Sequence, residues 1–428
     1  MRVLWVCNIM LPAYARLKGL PFSDREGWLS GAFEHIRKGK WKKEITLGVC
    51  FPSERDFSEA ADGVSFYGFA EDLNRPEQYD TALETRFADI IKDFRPDILH
   101  VYGTEFPHAL AALRVFGKKE RALLTIQGLC GAIAERYMAG LPQEVQEAKT
   151  FRDKVRGDSL QDQKQKFARR AAHEEEAILL AGHIAGRTAF DEAQTKRINP
   201  DAVYHTVNET LRAVFYKTKW EASDALTHSI FLAQGDYPLK GFHDVLHALA
   251  AILETYPDTH LYVAGNSLIG GGDYSGFVPL PLRISGYGRY LKRLIAELHL
   301  QSHVTMLGKL NAEEMKERYL KSAVYVCASH VENSPNALGE AMLLGMPCIA
   351  TRTGGIPSLI DDKKEGLLYP AGDAQALSEA VKQIFSEKVI ALVYADNARK
   401  RALRTHDAQE NVRALLAAYH EIGPEADA

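Results

Sequence analysis

The chain has 428 residues, 46% hydrophobic and 25% charged, with a formal net charge of -4; that is material for two cores at about 100–200 residues per domain, and it lacks the basic balance of a general nucleic-acid binder. Five scattered cysteines, Cys7, Cys50, Cys130, Cys327 and Cys348, form no C-x-x-C pair and read as buried, reduced thiols of a cytoplasmic protein rather than zinc ligands. No run reaches the roughly 18 apolar residues of a membrane span, and the N-terminal MRVLWVCNIMLPAYAR lacks the small-residue cleavage site of a signal peptide.

In chain order, RVLWVCN (2–8), EITLGVC (44–50), DILHVYG (97–103) and ALLTIQG (122–128) read as buried strands. Helical spacing appears near 83–93, 106–116 and 188–197. The basic stretch 37–43, Arg37 to Lys43 around Trp41, follows the first helix. It reads either as a solvated helix end or as a peripheral contact with an anionic membrane face. The charged interval 142–176 has helical character and reads either as a solvated face or as a cap on the first sheet or a flank of the cleft. Residues 213–228 fit neither rhythm and mark the domain boundary.

The scheme then repeats. SIFLA (229–233), HLYVAG (260–265), HVTMLG (303–308), AVYVCAS (323–329) and CIAT (348–351) read as strands separated by helices over 242–256 and 290–300. Strands alternating with helices predict parallel sheets covered on both faces. The expected fold is α/β, with two doubly wound Rossmann-like domains over 1–215 and 216–407. A helix over 408–422 is expected to pack back on the first domain.

The stretch 327–359, CASHVENSPNALGEAMLLGMPCIATRTGGIPSL, carries the chemistry. A strand ends near Ser329, and a helix follows Pro335 and runs to about Leu344. Gly345 suits the residue after the helix, and Pro347 stops it. The helix N-terminus therefore lies at the carboxyl edge of a parallel sheet, where ligands bind in such folds. Its first amides and its dipole suit a diphosphate. Glu332 and Glu340 cannot bind phosphate, but each can accept hydrogen bonds from hydroxyls. Read from spacing alone, they are equally two surface carboxylates, with Glu340 as a helix-dipole partner.

Glu332, Glu340-Ala341-Met342, Gly345, Pro347 and the turn from Thr351 to Gly355 resemble the signature of the family 4 retaining glycosyltransferases. Gly366, Leu367, Leu368 and Pro370 extend the likeness. The segments 186–194 and 198–216 resemble a bacterial subgroup linked to surface-polysaccharide assembly. The resemblance implies the GT-B fold, two domains facing across a cleft, and a nucleotide-sugar donor. It implies transfer of a hexosyl unit to a glycan or lipid-linked glycan at the cytoplasmic face of the membrane. Glu332 would contact the transferred sugar and Glu340 the ribose. Ser334 and the amides around Asn336, Ala337 and Leu338 would meet the donor, and the Gly354–Gly355 turn would approach it closely. Lys240, followed by Gly241, would balance charge on the leaving diphosphate.

The chain also departs from the family pattern. The arginine expected five residues before Lys240 is replaced by Gly235, with Arg283 and Arg289 as candidate substitutes. The glycine pair after the first strand is reduced to Gly27, preceded by Glu26. On the acceptor side, Gln127 stands where relatives carry histidine, with His100 and His108 nearby. With no D-x-D pair in the chain, neither a metal nor another cofactor is expected. Two other readings stay open: a non-catalytic subunit that binds a nucleotide sugar, and a GT-B epimerase.

Overall fold

Runs of β-branched and aromatic residues form the strands, and the amphipathic segments between them form helices. The computed structural model describes residues 1–21, 27–38, 40–266, 268 and 284–423. The first sheet contains β1 Arg2–Val6, β2 Thr46–Ser53, β3 Phe57–Ala61, β4 Val64–Ala70, β5 Ile98–Tyr102, β6 Ala122–Thr125, β7 His183–Gly186 and β8 Val203–Thr206. Their order is β3-β4-β2-β1-β5-β6-β7-β8. All neighbours are parallel except β3, which pairs antiparallel with β4.

The second sheet contains β9 Leu226–Leu232, β10 His260–Ala264, β11 Val304–Gly308, β12 Ser322–Cys327, β13 Cys348–Thr351 and β14 Leu367–Tyr369. It is parallel throughout, in the order β11-β10-β9-β12-β13-β14. The chain moves outward from β9 to β11 and then returns to the other side of β9. The β9/β12 pair, with Phe231 opposite Tyr325 and Leu232 opposite Val326, is therefore the topological switch point of this sheet. Both expected doubly wound domains are present.

The hairpin β3–β4 was not among the expected strands, although its turn signal is in the sequence. Asp62 and Gly63 both take positive φ, 50° and 71°, the conformation of a two-residue primed turn that Asp-Gly favours. The strands β7, β8 and β14 are only three or four residues long, too short for a periodic signal.

Contacts divide the chain into one unit of residues 1–131, 166–211 and 405–428 and a second of 132–165 and 212–404. Two boundaries differ from the sequence reading. The change of unit falls at 211/212 rather than 215/216, because the residues after it pack on the second sheet. The ring of Phe215 meets Tyr319 edge-on at 5.8 Å. The Trp220 amide donates to the Leu344 carbonyl and its indole N–H donates to the Ser322 carbonyl, both at 2.8 Å. Residues 132–165 also belong with the second unit, so the interval 142–176 is divided between the two. It holds helices Gln143–Glu147, Phe151–Arg156 and Leu160–Leu180. Buried Asp153 closes a capping box with Thr150 and accepts from the Gly286 amide at 2.8 Å.

The helix Ala408–Ile422 lies in the first unit. Its Val412, Leu415, Leu416, Tyr419 and Ile422 join Val3, Trp5 and Leu47 in one core. The Trp5 indole N–H donates to Tyr419 Oη at 2.8 Å. All five cysteines are buried and free. Burial pushes every thiol up, that of Cys327 to about 11.

Candidate functional site

At the carboxyl ends of β9 and β12, two loops bring Lys240 and Glu332 together. After β9 the chain makes a short 3-10 turn, Pro238–Lys240, and Gly241 ends it at φ 68°. A Cβ at Gly241 would lie 2.0 Å from the Ala328 carbonyl oxygen, so only glycine lets this loop approach the end of β12. Lys240 Nζ reaches Glu332 Oε1 at 2.5 Å, and Ser329 Oγ donates to the same oxygen at 2.6 Å. Burial disfavours the Lys240 ammonium, but the Glu332 carboxylate outweighs it and holds the lysine above its ordinary pKa.

The helix Asn336–Leu344 begins after Pro335 without a side-chain cap and ends at Gly345, φ 72°. Leu338, Ala341, Met342 and Leu344 are buried, as their spacing predicts. Of the amides expected to face a ligand, that of Leu338 is already committed to the Pro335 carbonyl at 3.0 Å. Asn336 and Ala337 are the first two residues of the helix, and Ser334 is buried in the preceding loop.

Glu340 is buried at 3% exposure, and its carboxylate pairs bidentately with Arg212. Nε meets Oε1 and Nη2 meets Oε2, both at 2.7 Å. Burial raises the Glu340 pKa, and Arg212 opposes that rise. Arg212 also stands over the Phe215 ring at 4.9 Å. Sequence reasoning missed this arginine because no local motif marks it.

The Gly354–Gly355 turn lies against the loop that carries Glu332. A Cβ at Gly354, φ 51°, would lie 2.0 Å from the Glu332 carbonyl oxygen, and the Gly355 amide donates to that oxygen at 2.9 Å. Thr353 Oγ1 donates to the His330 carbonyl at 2.9 Å. The close approach that glycine permits is thus to the backbone of Glu332.

Residues 223–401 match the family model described as glycosyl transferases group 1. The matched residues all lie in the second unit. The chain is 29% identical to the D-inositol 3-phosphate glycosyltransferase of Corynebacterium urealyticum over 43% of its own length and 41% of that protein's. It therefore aligns with only about two fifths of that relative. Similarity to the N-acetyl-alpha-D-glucosaminyl L-malate synthase of Bacillus anthracis is 21% identity over 80% of both chains. In fold the chain resembles Anabaena Alr3699/HepE, solved in complex with UDP and glucose, with a TM-score of 0.63 at 16% identity over 98% of this chain and 99% of that one. The fold is GT-B, as the sequence implied.

Within the matched segment, the glycine at the expected arginine position is closely packed. A Cβ at Gly235 would lie 2.7 Å from Val263 Cγ1 and 3.2 Å from the Phe242 ring. Arg289 is exposed on the helix Gly286–Glu297, and Arg283 lies outside the described residues. The arginine beside this loop is Arg152, which lines a recess of about 150 Å³ with Asp236, Tyr237, Tyr137, Asp153 and Asp158. Arg152 Nη1 is held by Asp158 at 2.9 Å and Asp153 at 3.1 Å.

The remaining expected residues lie in the first unit. Gly27 opens the helix Gly27–Lys38, while Arg25 and Glu26 lie outside the described residues. Gln127 Nε2 donates to Glu209 Oε1 at 2.6 Å, and Arg187 holds the other oxygen of Glu209 at 2.6 Å. His108 is buried, with Nδ1 2.6 Å from Glu71 Oε2 and its amide donating to Oε1 at 3.0 Å. His100 is also buried, between Tyr419 and Thr125. In the basic stretch, Arg37 pairs with Asp62 at 2.8 Å and Trp41 packs against the first core. Among the described residues no helix is long and apolar enough to cross a membrane.

Proposed function

We propose that this protein is a retaining glycosyltransferase that moves a hexosyl unit from a nucleoside-diphosphate sugar to a hydroxyl of a glycan or lipid-linked glycan. The observation that carries this reading is the Lys240–Glu332 pair at the β9/β12 switch point, beside the N-terminus of the helix Asn336–Leu344. The family match and the UDP and glucose held by a protein of like fold support it.

In this reading the Asn336 and Ala337 amides and Lys240 stabilise the leaving diphosphate, so the group that carries the developing charge is met by preorganised positive charge. No divalent ion is assigned to the diphosphate. Lys240 and Ser329 both use Oε1 of Glu332, which leaves Oε2 for a hydroxyl of the transferred sugar. Glu340 accepts ribose hydroxyls on the lone pairs that Arg212 does not occupy. The acceptor oxygen attacks the anomeric carbon on the face from which the diphosphate departs, and a phosphate oxygen takes its proton. The chain supplies orientation and charge, and no protein base is required. The acceptor meets the protein at a peripheral membrane surface, with the basic stretch 37–43 as the contact.

The test is release of nucleoside diphosphate from a panel of UDP- and GDP-sugars, with and without glycan acceptors. Turnover with one donor, lost in Glu332→Ala and accompanied by retained anomeric configuration, is the expected result. Tight donor binding without turnover would mean a binding subunit, and interconversion of donor epimers would mean an epimerase. Either outcome overturns the proposal.

A further inference from the structure

Beside the Lys240–Glu332 pair lies a second polar cluster that the proposed reaction does not use. His243 and Asp244 occupy the first turn of the helix Phe242–Leu253, and His330 lies in the loop after β12. Their exposures are 1%, 6% and 6%. One ligand atom from each lies within 4.8 Å of the other two. His330 Nε2 is 2.8 Å from Asp244 Oδ2, and His243 Nε2 is 3.6 Å from Asp244 Oδ1.

Three of these atoms, His243 Nε2, Asp244 Oδ2 and His330 Nε2, have no hydrogen-bond partner despite their burial. His330 Nε2 and Asp244 Oδ2 approach each other without making a hydrogen bond. Buried polar atoms are nearly always paired, so three orphans in one cluster call for an explanation. The two imidazoles are stacked, centroids 5.5 Å apart and planes inclined by 17°. Gly140, at φ +75°, faces both rings; a Cβ there would lie 2.8 Å from His243 Nε2 and 3.2 Å from His330 Nε2. The other nitrogen of His243, Nδ1, is 3.2 Å from Tyr287 Oη, an outer partner that leaves Nε2 as the ligand.

We propose that His243, Asp244 and His330 bind one divalent transition-metal ion of the zinc class. Two imidazoles and a carboxylate are a donor set for zinc, whereas magnesium favours oxygen ligands. The ion fastens the start of the helix after Lys240-Gly241 to the loop that leads into Glu332. It acts as a structural clip, and it does not depend on the transferase reading. No motif in the sequence marks it, because His330 lies 87 and 86 residues beyond the adjacent His243 and Asp244 and the three match no metal-ligand spacing.

The test uses the full chain, stripped with a chelator and dialysed, then titrated with Zn²⁺ against a chromophoric competitor. One Zn²⁺ per chain is expected, uncompeted by Mg²⁺, with affinity at least tenfold lower in His243→Gln and in Asp244→Asn. Absence of stoichiometric uptake, or equal uptake in both variants, overturns the site. Loss of uptake in His205→Gln instead would move the ion to the cluster His183, His205 and Glu421 and also overturn it. Should the buried variants not fold, X-ray absorption of the wild-type zinc complex decides. Imidazole nitrogen and carboxylate oxygen at about 2.0–2.2 Å are expected, and sulfur or all-oxygen ligation refutes the assignment.

Discussion

Lys240 Nζ and Glu332 Oε1 meet at 2.5 Å across the two loops that leave β9 and β12. The pair keeps a half-buried ammonium charged and fixes the Glu332 carboxylate. Removing either partner leaves the other charge in a site built to be paired.

Lys240→Ala is expected to lower the rate of donor turnover about 10²–10³-fold, the usual cost of losing one preorganised donor to a leaving oxyanion. Lys240→Arg should recover part of it. Steady-state kinetics on both variants, beside their melting curves, check this; full turnover in the alanine variant would remove Lys240 from the mechanism.

Arg212→Met strands the buried Glu340 and is expected to cost about 3–5 kcal/mol at neutral pH. Burial raises the Glu340 pKa and Arg212 opposes the rise. A carboxyl whose folded pKa lies above its unfolded value supports the fold at low pH and loses that contribution as pH rises through the folded value. The gap between variant and wild type should therefore narrow from about pH 8 to about pH 5. Urea titrations across that range check it, and a constant gap would show that Glu340 is not responsible.

Gly354→Ala drives a Cβ into the Glu332 carbonyl and places alanine at positive φ. The expected loss is about 1–3 kcal/mol of stability, with donor affinity at least about tenfold weaker because Glu332 must move. Calorimetric titration with the donor checks the second part. Loss of stability with unchanged affinity would leave the turn a purely structural role.

Glu174, in the first unit, accepts from Thr104 Oγ1 at 2.6 Å and from the Cys130 and Gly131 amides at 2.9 and 3.1 Å. Burial nevertheless raises its pKa to about 7. Its contribution to stability is complete below the ordinary value of 4.5 and is lost as pH rises through about 7. Glu174→Gln should be more stable than wild type at about pH 8, by on the order of 1–2 kcal/mol, and lose that advantage near about pH 5. Melting temperatures at the two pH values check the sign.

The strands that the sequence displayed were those with long apolar runs, such as β1, β5, β9 and β12. The helix Asn336–Leu344 was legible from Pro335 at one end and Gly345 at the other. What stayed hidden depends on distance along the chain. Arg212 reaches a carboxylate 128 residues away, and Asp153 accepts from an amide 133 residues away. Neither has a local pattern to announce it. The partner of His108, Glu71, lies 37 residues away and was equally hidden. Gly235 looked like a lost arginine, and the structure gives its reason in the neighbouring Val263 and Phe242.

The five buried thiols have a practical use. With every native sulfhydryl shielded and held protonated, maleimide reagents at neutral pH should pass the natural chain by. A reporter cysteine added at an exposed position can then carry a fluorophore or spin label in an otherwise native background. Measurements of how the polypeptide moves when it meets a ligand can begin without first replacing core residues.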